Sequence, residues 1–133
     1  MTQILFPNPR ILVEFGHLEG VLHSIFMNFI EQFWPDPDRY VRVTCIYRTK
    51  EEEIAAGGKS GIHTVGPFYR AIDLGAREFT QEAVSAAAAK INVLWEYDPS
   101  RPEKVVCYAE PHGSGPHFHL QVHPNTIKRK VSV

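Results

Sequence analysis

Pro116-His117-Phe118-His119-Leu120-Gln121-Val122-His123 alternates polar and apolar side chains without a break. Successive side chains of a strand point to opposite faces. Phe118, Leu120 and Val122 are therefore set to meet a core, while His117, His119, Gln121 and His123 share the other face. Residues two apart on a strand are roughly 6.5–7 Å apart at Cα. At that spacing two imidazoles can reach one metal ion, or one can ligate while the other faces the metal's water. The same pattern also suits a half-exposed edge strand with incidental histidines.

Working outward, Leu18 to Trp34 carries Leu18, Val21, Leu22, Ile25, Phe26, Phe29, Ile30 and Phe33 at helical spacing, and Pro35-Asp36-Pro37 stops it. Tyr40 to Tyr47 is β-branched and aromatic and predicts a strand. Thr49 is placed to cap a short helix, Lys50 to Ala56, whose acidic first turn suits the positive helix end. Tyr69 to Leu74 predicts a strand, Thr80 caps a helix over Gln81 to Tyr97, and Lys104 to Ala109 predicts another strand. Glu110 to Pro116 is expected to be a Gly/Pro loop, and Met1 to Gly16 irregular, with a short strand at Ile11 to Phe15. This order predicts an α+β domain with helices packed on one face of a small, mainly antiparallel sheet.

The chain has 133 residues, 44% apolar and 22% charged, which predicts a single globular domain over 1–133. A net charge of −1 gives no basic field to hold nucleic acid or an anionic membrane. The cluster Lys128-Arg129-Lys130 is expected to be a solvated end. The apolar stretch Val21 to Trp34 is interrupted by five polar residues, so no membrane insertion is expected. Met1 to Arg10 has no signal-peptide character. The expectation is a chain cytoplasmic as synthesised, reaching a cell wall only by a separate release route. Cys45 and Cys107 lie in apolar runs and are expected to be buried thiols. Gly58-Lys59-Ser60 looks superficially like a phosphate loop, but Ile54 stands near the position of the leading glycine and no helix follows.

The chemistry concentrates in residues 58–74 and 117–119. His63 follows a glycine-containing loop, and Asp73 sits inside an apolar strand, where a carboxylate is costly unless paired, hydrogen-bonded or on a metal. His63, Asp73 and a strand histidine form an N/N/O set that suits zinc with a fourth position open to water.

Val43-Thr44-Cys45-Ile46-Tyr47-Arg48-Thr49, then Lys59-Ser60, His63, Gly66 and Arg70-Ala71-Ile72-Asp73-Leu74, then His117-Phe118-His119, resemble the Hedgehog/D-alanyl-D-alanine peptidase superfamily. The likeness is greatest to its bacterial and phage zinc peptidases. It spans residues 41 to 122, with the three motifs in the family's order. It implies Zn2+ held by His63, Asp73 and His119. It also implies an Arg48 that polarises the substrate carbonyl, a Ser60 that bonds substrate, and a His117 that faces the zinc-bound water. The implied activity is hydrolysis of a peptide bond in peptidoglycan stems or cross-links by metal-activated water. The sequence departs from the family's pattern in three places. Pro67-Phe68-Tyr69 lengthens the His63-to-Asp73 interval, and Ser60 lies three residues before His63. Pro116 stands where the family has its glutamate, so the role of base falls to His117 or Glu110. The alternative is a non-catalytic zinc-binding or relic peptidase domain, a phage structural or accessory protein.

Overall fold

Helical periodicity becomes burial in the long helix. Leu22, Ile25, Phe26 and Phe29 are fully buried while His23 and Ser24 between them are exposed. The structure, a computed structural model, describes residues 3–33, 40–55, 61–64, 68–112 and 115–129. In chain order these form β1 (Gln3–Leu5), α1 (Pro9–Phe15), α2 (Gly20–Phe33), β2 (Tyr40–Cys45) and α3 (Lys50–Ala55). A 3-10 turn (Ile62–Thr64), β3 (Ala71–Gly75), α4 (Gln81–Leu94) and β4 (Trp95–Glu96) follow, then β5 (Cys107–His112), β6 (Gly115–Gln121) and β7 (Ile127–Lys128).

Five strands form one sheet in the order β1-β2-β3-β6-β5, and β4 pairs with β7 apart from it. The β1–β2 pairing is parallel; β2–β3, β3–β6 and β6–β5 are antiparallel. The protein is thus mixed α+β, with a mixed five-stranded sheet and four α-helices among the described residues. Val41, Val43, Ile72, Leu74, Phe118 and Leu120 bury one face of the sheet. Helix α2 packs against β6, and α4 packs against β5 and β6. Phe29 of α2 meets Phe118 of β6 edge to face, with ring centroids 4.6 Å apart. Val84, Ala87, Ala88 and Ile91 are the buried side of α4. Asn92 of the same helix donates to the Cys107 carbonyl (2.8 Å) and accepts from its N–H (3.0 Å), satisfying backbone on the edge strand β5. Among the described residues no helix is long and apolar enough to cross a membrane.

Several expected boundaries move. Residues 9–15 form a helix rather than a strand, because the Asn8 side chain accepts from Ile11 N–H and Pro9 occupies the first turn, where its missing N–H costs nothing. Residues 110–112 and 115–116 continue the β5–β6 ladder rather than forming a loop, with Pro111 opposite Pro116. Pro111 sits on an edge strand and Pro116 lies beyond the last β3 pair, Gly75–His117. Neither proline therefore removes a bond that the sheet interior needs. The long helix predicted to Tyr97 ends at Leu94, and Trp95 and Glu96 turn away to pair with Lys128 and Ile127.

Two caps fall on the threonines expected to make them. Thr49 accepts from Glu52 N–H while Glu52 accepts from Thr49 N–H, a reciprocal capping box on α3. Thr80 accepts from Ala83 N–H at 3.1 Å. Thr80→Ala is expected to cost about 1 kcal/mol. Urea unfolding should register this as a lower midpoint with an unchanged slope; an unchanged midpoint would show that the cap contributes nothing to α4.

Candidate metal centre

The face of the sheet opposite the buried one carries a row of side chains across four strands. Asp73 of β3 pairs directly with Cys45 of β2 and with His119 of β6, and His119 pairs with Tyr108 of β5. Ile72 and Leu74, on either side of Asp73, are fully buried, so strand alternation alone turns the carboxylate to this face. His63 reaches the row from the 3-10 turn. Gly61, at φ 68°, leads into that turn with a left-handed backbone that glycine adopts without steric cost.

The Asp73 carboxylate is gripped from two sides. Its Oδ1 lies 2.8 Å from His119 Nδ1 and its Oδ2 lies 3.3 Å from His63 Nε2. The two imidazoles meet edge to face, with centroids 5.2 Å apart. Each ring has its other nitrogen committed. His63 Nδ1 donates to the Ile46 carbonyl at 2.9 Å. His119 Nε2 lies 3.1 Å from Gln121 Oε1, and the Gln121 amide nitrogen donates to the Val105 carbonyl at 2.9 Å. The Val105 carbonyl can only accept, which fixes the Gln121 amide with its oxygen toward His119 and makes His119 Nε2 a donor. On both rings the remaining nitrogen therefore faces a carboxylate oxygen. Lone pair would confront lone pair unless something positive, a hydrogen or a metal ion, lies between them.

Part of this set has the spacing of a metal site. Two ligands bonded at about 2.0–2.2 Å in tetrahedral geometry lie roughly 3.3–3.5 Å apart, which matches the His63–Asp73 separation of 3.3 Å. His119, by contrast, meets Asp73 at a hydrogen-bond distance of 2.8 Å. Backbone and amide carbonyls that lock the far nitrogen are the usual outer partners of metal-binding histidines. Burial works against charge on His63, but Asp73 and Cys45 beside it overcome this and hold its pKa up at about 10. Burial likewise opposes the Asp73 charge, yet hydrogen bonds from His119 and His63 hold its carboxyl well below the ordinary carboxylate range. Without metal, a proton on His63 stands in for the cation.

Arg48 borders the site. Its backbone N–H donates to the His63 carbonyl at 3.0 Å, which ties the end of β2 to the 3-10 turn. Its guanidinium donates to Glu53 at 3.0 Å and lies 3.8 Å from Asp73 Oδ2. Its side chain thus touches both Glu53 of α3 and Asp73 of the site.

The structure thus brings together His63, Asp73, His119 and Arg48. His117 lies two residues along β6, on the strand side shared with His119, and lines a recess with Arg42, Thr44 and Arg77. Glu110 pairs with His117 across β5–β6, but its side chain lies outside the described residues, as does all of Ser60. Cys107 is buried as expected, and burial pushes its thiol pKa up. Cys45 is not a core thiol. Its sulfur sits 3.7 Å from His63 Nδ1, and Cys45, His63 and Asp73 each place a donor atom within 4.8 Å of the other two. The cause is an irregularity in β2. Val43 pairs with Leu74 but Cys45 pairs with Asp73, so one extra residue is accommodated and Cys45 is turned out of the core while Ile46 enters it. Comparison with family models, curated proteins and solved structures finds no match to this chain.

Proposed function

We propose that this protein is a zinc-dependent peptidase acting on a peptide bond of peptidoglycan stems or cross-links, with a Hedgehog/D-alanyl-D-alanine peptidase-like fold. One observation carries the proposal. Two imidazole nitrogens converge on one carboxylate while their far nitrogens are held by carbonyl oxygens, an arrangement that calls for a cation. His63, Asp73 and His119 would hold Zn2+, which supplies a Lewis acid for the scissile carbonyl and lowers the pKa of water to about 7. The substrate class rests on the resemblance of the Tyr47-Arg48, His63-to-Asp73 and His117-to-His119 motifs.

The chain's own residues then have separable tasks. Ile46 and Gln121 fix the ring orientations of His63 and His119. Arg48, held by Glu53 and 3.8 Å from Asp73, is placed to donate to a substrate carbonyl oxygen, where one such donor is typically worth about 3–4 kcal/mol. His117, or Glu110 opposite it, would carry the proton from water to the leaving amine. A second reading, a zinc-binding relic or phage accessory protein, draws on Pro116 in place of the family's glutamate.

The deciding experiment incubates zinc-loaded protein with purified cell walls and with D-alanyl-D-alanine peptides, alongside His117→Ala and Arg48→Lys. Peptide release is expected from the wild type, and about 100-fold or more less from His117→Ala at equal zinc content. Arg48→Lys keeps the charge beside Glu53 but loses the planar fork, so kcat is expected to fall more than stability. Zinc-loaded wild type that releases no peptide from either substrate would leave the relic reading in its place.

A further inference from the structure

Cys45 lies against the proposed metal centre without a task in it. We propose that Cys45 is a fourth protein ligand, so that the resting site is a closed thiolate site made by Cys45, His63, Asp73 and His119. The inference rests on the metal reading above and adds to it a residue that the implied His/Asp/His set does not contain.

Three observations converge. The donor atoms of Cys45, His63 and Asp73 cluster within 4.8 Å, a spread that small side-chain rotations close onto one ion. Cys45 and Asp73 are direct cross-strand partners, so both side chains rise from adjacent points of the sheet. The β2 irregularity gives up regular pairing at the one step that turns Cys45 toward Asp73, and such bulges commonly re-aim a side chain at a site. The long contact with His63 does not account for the sulfur's position. The His63 Nδ1 hydrogen already goes to Ile46 at 2.9 Å, leaving the sulfur at 3.7 Å a weak second acceptor.

The chemistry follows from the donor types. On binding, the Cys45 thiol releases its proton to solvent and the sulfur forms a bond to the metal ion. Thiolate and imidazole together favour zinc and similar ions over magnesium or manganese, which prefer oxygen donors. Four protein donors also fill a tetrahedral shell, the arrangement of a closed site. Hydrolysis would then require the thiolate to leave, and Cys45→Ala would open that position permanently.

Cobalt(II) tests this in the full chain, because a thiolate ligand gives it an intense near-ultraviolet charge-transfer band that nitrogen and oxygen donors do not. Wild type is expected to bind one cobalt per chain with that band. Cys45→Ala and the nearly isosteric Cys45→Ser are expected to bind one cobalt without it, about 10-fold or more weakly. A thiol reagent should modify Cys45 in metal-free protein and be slowed by cobalt, with Cys107 shielded by burial in both states. If wild type binds one cobalt without the band, and its thiol reacts equally fast with and without metal, Cys45 is not a ligand and the three-residue site stands. If wild type binds no cobalt, the metal reading itself fails and the Cys45 ligand with it. The wild-type spectrum decides even where a variant does not fold.

Discussion

Asp73→Ala is expected to lower zinc affinity by well over 100-fold, more than the roughly 10–100-fold typical of losing an outer partner. Asp73 touches both histidines and approaches Arg48. Its removal deletes a donor and also the negative charge that makes a cation welcome between two imidazoles and a guanidinium. Asp73→Asn separates these effects, since it keeps the volume and one carbonyl oxygen but loses the charge; intermediate affinity is expected. Elemental analysis after dialysis, with competition against a chromophoric chelator, gives the numbers, and far-ultraviolet circular dichroism checks the fold. Full zinc occupancy at wild-type affinity in Asp73→Ala would place the metal elsewhere or remove it from the account. Because Asp73 also neutralises buried His63, His119→Ala is the gentler companion variant, and its zinc affinity should fall as well.

The largest expected effect on stability lies on the other side of the same strands. Phe29 is fully buried and packs edge to face on Phe118 at an interplanar angle of 72°. Phe29→Ala removes most of an aromatic side chain from a close-packed layer, and such changes typically cost about 3–5 kcal/mol. That is a large share of the roughly 5–15 kcal/mol holding a domain of ordinary size. Urea unfolding of the metal-free protein should show the midpoint collapse. A loss below about 1 kcal/mol would mean that α2 is not anchored on β6 as described.

The parts of this fold legible in the sequence are those with a long period. Helices α2 and α4 announce themselves through apolar side chains at three- and four-residue spacing, and β6 through its alternation. Helix α1 is short, and Pro7 and Pro9 suggest irregular chain. Its signal is Asn8-Pro9, a cap followed by a residue already suited to the first turn. The β5–β6 ladder beyond Ala109 is hidden by Pro111 and Pro116, whose tolerance depends on which neighbouring backbone needs a partner, a fact of topology rather than of local sequence.

The candidate site divides in the same way. Asp73 stands out because a carboxylate is costly inside an apolar strand, and His119 because it shares one face of an alternating strand, whereas the site role of Arg48 comes from the resemblance alone. Gln121 shares the polar side of β6, but its hold on His119 depends on the Val105 carbonyl, supplied by a different segment. Cys45 was illegible for a sharper reason. Val41, Val43 and Cys45 alternate regularly in the sequence and assign the thiol to the core, and nothing in residues 43–46 marks the extra residue that breaks the count.

The row of Asp73 and His119 on one face, with Ile72, Leu74, Phe118 and Leu120 on the other, makes each strand carry two independent texts, read at alternate positions. Mutation at the polar positions can erase the proposed metal chemistry and leave the hydrophobic text intact, so loss of that chemistry and loss of folding are separable outcomes. A chain that kept the architecture without the proposed metal chemistry would differ from this protein chiefly at 73, 117 and 119, and hardly at 72, 74, 118 and 120. A one-residue deletion at Thr44 would remove the extra residue of β2 and leave both texts in register, with Cys45 still opposite Asp73 and Ile46 still in the core.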